Sequence, residues 1–458
     1  MSTKPGLNMS ARTRLVRELA KLMPLAGPLV ANNLALAGMN FADTVMAGRL
    51  GAIDLAAVAV GNGVWMVAFL FGLGVLMGMS PVAAQYFGSG QKTEVGRALR
   101  QCLWLSQLLA LVLFVVLRQS GHLLSGIGID AEILPKTIGY IDAISFGLPA
   151  MYAYLALRFT SEGIGHTRPI MLIAVFGLLI NVLFNYLLMF GKLGFPRLGA
   201  VGCGYASAIS MWLMFLGMLI YARRHSIYRR FELFREFEWP TRRGQRELLG
   251  LGLPIGLSVL SEAGLFSATA LLMGTLGASI VAAHQIAINY AATMFMIPLA
   301  LHSATTIRVG QAVGGAQVEM ARFAGFVGIG LCGAVMCVSA ILLLIFGEHI
   351  AAFYTVDVEV QEIAIALLFV AAVFQVSDGL QVGAAGALRG FKDTRIPMVI
   401  NVFSYWVVGF PLAWMLGIHM QLGPQSVWAG LVAGLTVSAI LLNVRYAAIS
   451  KAAVQRLI

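Results

Sequence analysis

Charge is what this chain has least of. Only 11% of its 458 residues are Asp, Glu, Lys or Arg, while 59% are apolar. A soluble domain carries about 25% charged residues, so an ordinary water-facing surface is excluded. Cysteine is scarce as well. Cys102, Cys203, Cys332 and Cys337 lie in or near apolar runs and show no disulfide or metal-ligand spacing. A disulfide-stapled scaffold is excluded, and the cysteines read as packing residues. A secretory leader is not expected, because the polar, basic start is followed by an apolar run of full span length, longer than a signal h-region. Segments of about ten residues with period-2 alternation are missing, which excludes a membrane β-barrel. Nucleophile motifs and clustered metal ligands are missing too. Neither an enzyme nor a cofactor is expected, and the isolated His284 and His302 read as packing or weak proton sites.

What is present is apolar length. A membrane span needs roughly 20 apolar residues. Twelve candidates meet this, near 22–46, 54–80, 101–117, 138–160, 169–190, 199–221, 248–272, 280–306, 324–346, 361–386, 396–417 and 427–447. The expected fold class is therefore all-α and polytopic, with twelve transmembrane helices in two pseudo-symmetric six-helix lobes. The longest polar stretch, ARRHSIYRRFELFREFEWPTRRGQRE, divides the spans six and six. Expected boundaries are 1–221 for the first lobe, 222–247 for a cytoplasmic linker and 248–458 for the second lobe.

The halves resemble each other. Leu25–Gly88 aligns without a gap on Leu251–Gly314, with 16 of 64 positions identical. The clearest block sets AGRLGAIDLAAV (47–58) against MGTLGASIVAAH (273–284), and HTRPIM (166–171) faces DTRIPM (393–398) further on. Internal repeats are a hallmark of transporters. An even number of spans per half makes the repeats parallel, so the expected motion is one half rocking against the other around a cleft.

The net charge of +11 invites a nucleic-acid reading, but its distribution argues for a membrane. Assigned by side, 26 of the 31 basic residues, Lys4 and Arg235 among them, share the face that holds both termini. The opposite face has only Arg49, Arg118, Lys136, Lys192 and Arg197. That is the positive-inside pattern, which places both termini in the cytoplasm. The expected contact of this charge is anionic lipid heads.

Against this background three acids stand out: Asp43 late in the first span, Glu262 in the seventh and Asp378 in the tenth. Glu262 is the sole charged residue between Leu248 and Leu276. A carboxylate near the bilayer centre costs at least about 2.5–3.5 kcal/mol on insertion scales. It must be paired, protonated or facing a watery cavity. No Lys or Arg lies within two turns of Glu262 or Asp378. In a low-dielectric setting a carboxyl can hold a proton near neutral pH. Deprotonated, it attracts a metal cation or an organic cation. One site that takes either ion in turn is the minimal chemistry of an antiporter.

Asn181 and Asn185, one turn apart on one helix face, can donate to Asp43 or offer oxygens to Na⁺. They also fit ordinary interhelical hydrogen bonding. Opposite Asp43 the second half has Thr269, and opposite Glu262 the first half has Leu36, so the lobes differ in chemistry. Phe266, Phe374, Met294 and Met296 lie near the acids in sequence. Aromatic faces attract organic cations, and methionines repack around varied shapes. Gln285 is a polar group inside the eighth span.

The segments FADTVMAGRLGAIDLAAVAVG (41–61), GAVGCGYASA (199–208), SEAGLF (261–266), VAAHQIAIN (281–289), IRVGQAVGG (307–315), SDGLQ (377–381) and GALRGFKDT (386–394) resemble the multidrug and toxic compound extrusion (MATE) family in its NorM-type bacterial branch. The likeness runs along essentially the whole chain. It implies a bacterial inner-membrane exporter of lipophilic cationic drugs and dyes, driven by inward Na⁺ or H⁺. It implies coupling roles for Asp43, Glu262, Asp378, Asn181, Asn185 and Ser207, with Na⁺ held at Glu262 and Asp378 if sodium couples. Asp43, Glu262, Phe266, Gln285 and Phe374 match drug-contact positions. Some relatives have Tyr where Phe374 stands, so the hydroxyl is lost here. Nucleic acid is not an expected partner, and a monomer is the expected state. A flippase of lipid-linked headgroups is the alternative with the same architecture, but its cleft should hold cationic residues, and the intramembrane charges here are acidic.

Overall fold

The computed structural model describes residues 10–126, 128–233 and 236–456. Lys4 and Arg235, counted above, lie outside them. Every regular element among the described residues is helical. Among the described residues eleven helices are long and apolar enough to cross a membrane, and a bent helix pair makes twelve. The bend of 45° separates Leu134–Ser145 from Leu148–Gly163. Pro149, in the first turn after it, has no N–H to continue the ladder.

Two compact units emerge. The N-terminal unit spans Ala31–Leu260. It holds the second half of α1 (Ala11–Leu50), then α2 (Ala52–Leu76), α3 (Met79–Gly88), α4 (Lys92–Gly126), α5 (Leu134–Ser145), α6 (Leu148–Gly163), α7 (Arg168–Phe190), α8 (Ala200–Arg224), the single turn α9 (Ser226–Arg229) and the start of α10 (Arg242–Gly274). The C-terminal unit is the described part of Met1–Val30 together with that of Ser261–Ile458. Besides the rest of α10 it contains α11 (Ala278–Gly314), α12 (Val318–Tyr354), α13 (Val358–Gly390), α14 (Arg395–Phe403), α15 (Phe410–Trp414) and α16 (Pro424–Gln455). Two π-helical turns, Ser404–Gly409 and Met415–His419, flank α15.

The seams between units run through α1 and α10 rather than through the polar stretch 222–247. Close packing explains both. In the N-terminal unit, α10 crosses α2 backbone to backbone: a β-carbon built on Gly252 falls 2.0 Å from the Val75 carbonyl oxygen, and one on Gly74 falls 2.6 Å from Gly256 Cα. In the C-terminal unit, Leu22 and Ala26 of α1 bury with Leu301, Ala304 and Cys332. There Arg308 also donates two bonds to Glu18, at 2.8 and 3.1 Å. Pro28 and Pro254 occupy matching positions of the repeat and sit inside these helices just before the seams. Each removes one ladder hydrogen bond, a loss that membrane helices tolerate.

The polar stretch is strapped onto α4. Gln101 donates to the Trp239 carbonyl at 3.0 Å and accepts from the Thr241 N–H at 2.7 Å, and Trp104 donates to the Glu238 carbonyl at 2.9 Å.

Candidate coupling and binding sites

In the N-terminal unit, α1, α7 and α8 bring four sequence-predicted residues together. Asp43 is 8% exposed. Asn185 donates to its Oδ1 at 2.5 Å, and Ser207 donates to its Oδ2 at 3.2 Å. Asn181 sits behind them, accepting from Asn185 at 3.1 Å and donating to Ser207 at 3.3 Å. The helical i, i+4 spacing of the two Asn residues puts both amides on the α7 face that meets α1. Among the described residues no ion pair involves Asp43. Its carboxyl is held by neutral dipoles alone.

This cluster borders a cavity of about 100 Å³. Asp43, Asn181 and Ser207 reach its wall, together with Asn62, Trp65 and Tyr140. Met39, Met66, Met151, Met211 and Met214 supply much of the rest. The arrangement combines one carboxyl, several neutral oxygens, aromatic rings and soft thioether walls. The chemistry of this lining suits positive charge.

The C-terminal unit places the other two acids. Asp378 on α13 is buried, while Glu262 on α10 is partly buried. The charge of Glu262 reaches Asp378, and that of Arg389 reaches Glu262. Phe266 and Phe374 meet edge to face with centroids 6.0 Å apart. Phe374 also packs edge to face on Trp428 at 5.5 Å. At 2% exposure, Phe374 offers no open ring face in this conformation. Gln285 is exposed, and its buried neighbour His284 accepts from the Trp428 indole at 3.1 Å. His302 is buried between the Val382 carbonyl at 2.8 Å and Arg389 at 2.9 Å.

A family model described as MatE matches residues 28–187 and again 254–415. The chain belongs to the MatE family. The two matches begin 226 residues apart, which is the offset of the internal repeat. Multidrug resistance protein PmpM of Pseudomonas aeruginosa is 43% identical over 448 residues, covering 97% of this chain and 94% of its own. Multidrug resistance protein NorM of Aliivibrio fischeri is 41% identical, covering 94% and 95%. Among solved structures, the eukaryotic MATE transporter AtDTX14 superposes with a TM-score of 0.86 at 21% identity, over 97% of this chain and 100% of that one. An outward-facing multidrug resistance MATE transporter gives 0.87 at 22% identity, over 98% and 100%. At these identities the structural likeness speaks for the twelve-helix fold.

Sequence reasoning did not reach Asn62, Trp65 or Tyr140, nor the five methionines of the cavity. Asn62 and Trp65 share a helix face at i, i+3, but nothing in the sequence says which face meets Asp43. It also missed two further buried acids. Glu162 is 1% exposed and accepts from Arg158 at 2.7 Å, and Glu18 is 4% exposed against Arg308. Both stand near the ends of apolar runs, where a charge ordinarily reads as wet.

Proposed function

We propose that this chain is a secondary active multidrug efflux transporter of the bacterial inner membrane. It exports lipophilic, mostly cationic compounds in exchange for inward Na⁺ or H⁺. The observation that carries this reading is Asp43: a buried carboxyl with neutral partners, opening onto a cavity walled by methionine and aromatic side chains. The names of the relatives support the multidrug class.

The chemistry follows from charge balance. A carboxylate held by Asn185 and Ser207 is stabilised by hydrogen bonds but not neutralised. A proton, Na⁺ or an organic cation can complete the neutralisation, and only one fits at a time. Na⁺ would draw on the oxygens of Asn181, Asn185 and Ser207. An organic cation would lie against Trp65 and Tyr140 with its apolar body among the methionines. Competition at one carboxyl lets entry of the coupling ion expel the drug. The direction of transport then rests on different affinities of the two access states for ion and drug. In the C-terminal unit Glu262 and Asp378 act as the second cation-handling pair, with Phe266 as the aromatic face and Phe374 behind it. Gln285 is a drug contact on the exposed side of α11. Both termini are cytoplasmic, and the monomer is the working unit.

The test is efflux of a cationic dye from proteoliposomes carrying an imposed Na⁺ gradient or, separately, an imposed pH gradient. One gradient drives efflux in the wild type, and Asp43→Asn lowers the driven rate by about tenfold or more. Undiminished gradient-driven efflux in Asp43→Asn would remove the reading.

A further inference from the structure

The polar stretch between the two repeats carries large rings as well as charges. Phe237 and Trp239 are 73% and 71% exposed. A loop surrounded by water gains nothing from showing two such rings side by side. They are not loose either. Trp239 stacks on Trp104 of α4, with centroids 5.7 Å apart and planes within 18°. Phe237 stands edge to face against both, 6.0 Å from Trp104 and 5.2 Å from Trp239. The bonds of Gln101 and Trp104 to the backbone of Glu238, Trp239 and Thr241 hold the three rings as one block. All of it lies within the N-terminal unit.

What faces this block follows from α4. Trp104, Leu108, Leu111 and Val115 are spaced i, i+4, i+7 and i+11, so they form one stripe along the helix. The three aliphatic members are exposed, and so are Val112 and Val116 beside them. An exposed aliphatic face on a membrane span meets acyl chains. Trp104 opens that stripe at the end of α4 that carries Lys92, Arg97 and Arg100. The rings stacked on it therefore stand at the headgroup boundary, where amphipathic rings concentrate. The Trp239 indole N–H has no protein acceptor among the described residues, so it can donate to a lipid oxygen.

Charge names the lipid. Glu238, between the two rings in sequence, is taken up by Arg97 at 3.4 Å and Arg100 at 3.1 Å. Arg242 and Arg246 begin α10 one turn apart on one exposed face, which continues as the exposed Leu249, Leu253 and Leu257. Neither arginine makes an ion pair among the described residues. Glu236 is the exposed acid of this segment, and the two arginines outweigh it. Arginines at the head of an apolar stripe lay their stems on it and reach for phosphate.

We propose that Trp104, Phe237 and Trp239 form an aromatic anchor seated in the headgroup boundary of the leaflet on the basic side, with Arg242 and Arg246 holding anionic lipid heads there. This part of the stretch between the repeats is an interfacial element rather than a loop free in the cytoplasm. The inference does not depend on what the protein carries or on which ion drives it.

The test uses the full-length protein in lipid nanodiscs, with tryptophan emission quenched by brominated lipid or by aqueous iodide. The emission lost in Trp239→Phe isolates Trp239, since Phe keeps an aromatic ring in the stack. That emission should be quenched by lipid brominated near the head of its acyl chain. Emission that the bromolipid leaves untouched puts the rings in water or under a soluble partner, which iodide tells apart, and either result overturns the anchor. Brominated phosphatidylglycerol and brominated phosphatidylcholine, compared as probes, then give the headgroup preference. The wild type should prefer phosphatidylglycerol, and Arg242→Gln and Arg246→Gln should each lower that preference by about fivefold. A wild type that does not discriminate, or variants that keep its preference, would overturn the anionic assignment.

Discussion

A buried acid means different things according to its partner, and this protein holds both kinds. Glu162 answers Arg158 across one helical turn at 2.7 Å, with side chains 1% and 8% exposed. Breaking such a pair strands a charge, whereas replacing both partners by apolar groups often costs little. Arg158→Met should therefore lower unfolding stability by about 3–5 kcal/mol, and Arg158→Met combined with Glu162→Leu should recover most of the loss. Thermal unfolding of the purified variants checks this; equal losses in single and double variants would contradict it. Asp43 has only neutral partners, which is why function is assigned to it and not to Glu162. Outside the spans, His166 offers a pH test. Burial first, then the charges of His225 and Arg168, hold its imidazole below the usual 6.5. The fold prefers the neutral ring, so its contribution is present above pH 6.5 and is lost as pH falls towards the lower folded value. Between about pH 7.5 and 5.5, His166→Gln should flatten the decline of the thermal midpoint. An unchanged slope would contradict this.

At the scale of the helix, sequence told where apolar runs lie but not how they pack. The run near 22–46 is the middle of a 40-residue helix, Ala11–Leu50. Its first turns and those of α10 bury in units that the linker position did not indicate. Glycine spacing held that information only implicitly: Gly252 and Gly256 share a helix face at i, i+4, but the partner, Gly74 beside Val75, lies far off in sequence. The packing predicts sharp intolerance. Gly252→Ala should cost about 1–3 kcal/mol through the clash with the Val75 carbonyl. Gly330→Ala, on the exposed side of α12 with nothing within 4 Å, should leave the midpoint unchanged. Comparable losses at both sites would contradict the close crossing. The π turns of the span Arg395–His419 also escaped the sequence. Hydrophobicity reports that a segment is apolar but not how its backbone winds, and the close approach of Gly409 to Gly434 pairs residues of two separate spans.

Across the whole molecule, the strongest legible signal was duplication. The repeat offset of 226 residues predicted two like halves, and the family matches begin at that same spacing. The acids were legible because a lone carboxylate in an apolar run is costly. The cavity walls were not, because a methionine facing a cavity and one facing lipid look alike in sequence. The division of labour between halves was visible in part, since Asp43 aligns with Thr269 and Glu262 with Leu36. The structure gives that difference a form. One unit gathers a carboxyl with Asn and Ser at a methionine-walled cavity. The other sets Glu262 within reach of Arg389, one residue from Ser261, which accepts from Trp406 of a π turn.

The most direct measurement is equilibrium binding of a fluorescent lipophilic cation to the purified protein, titrated with Na⁺ and, separately, with H⁺. The account predicts that one ion displaces the dye competitively from the wild type. It predicts that Asp43→Asn weakens dye binding by about tenfold and no longer responds to that ion. Wild-type dye affinity and wild-type ion displacement in Asp43→Asn would contradict the claim that ion and drug exchange at this carboxyl.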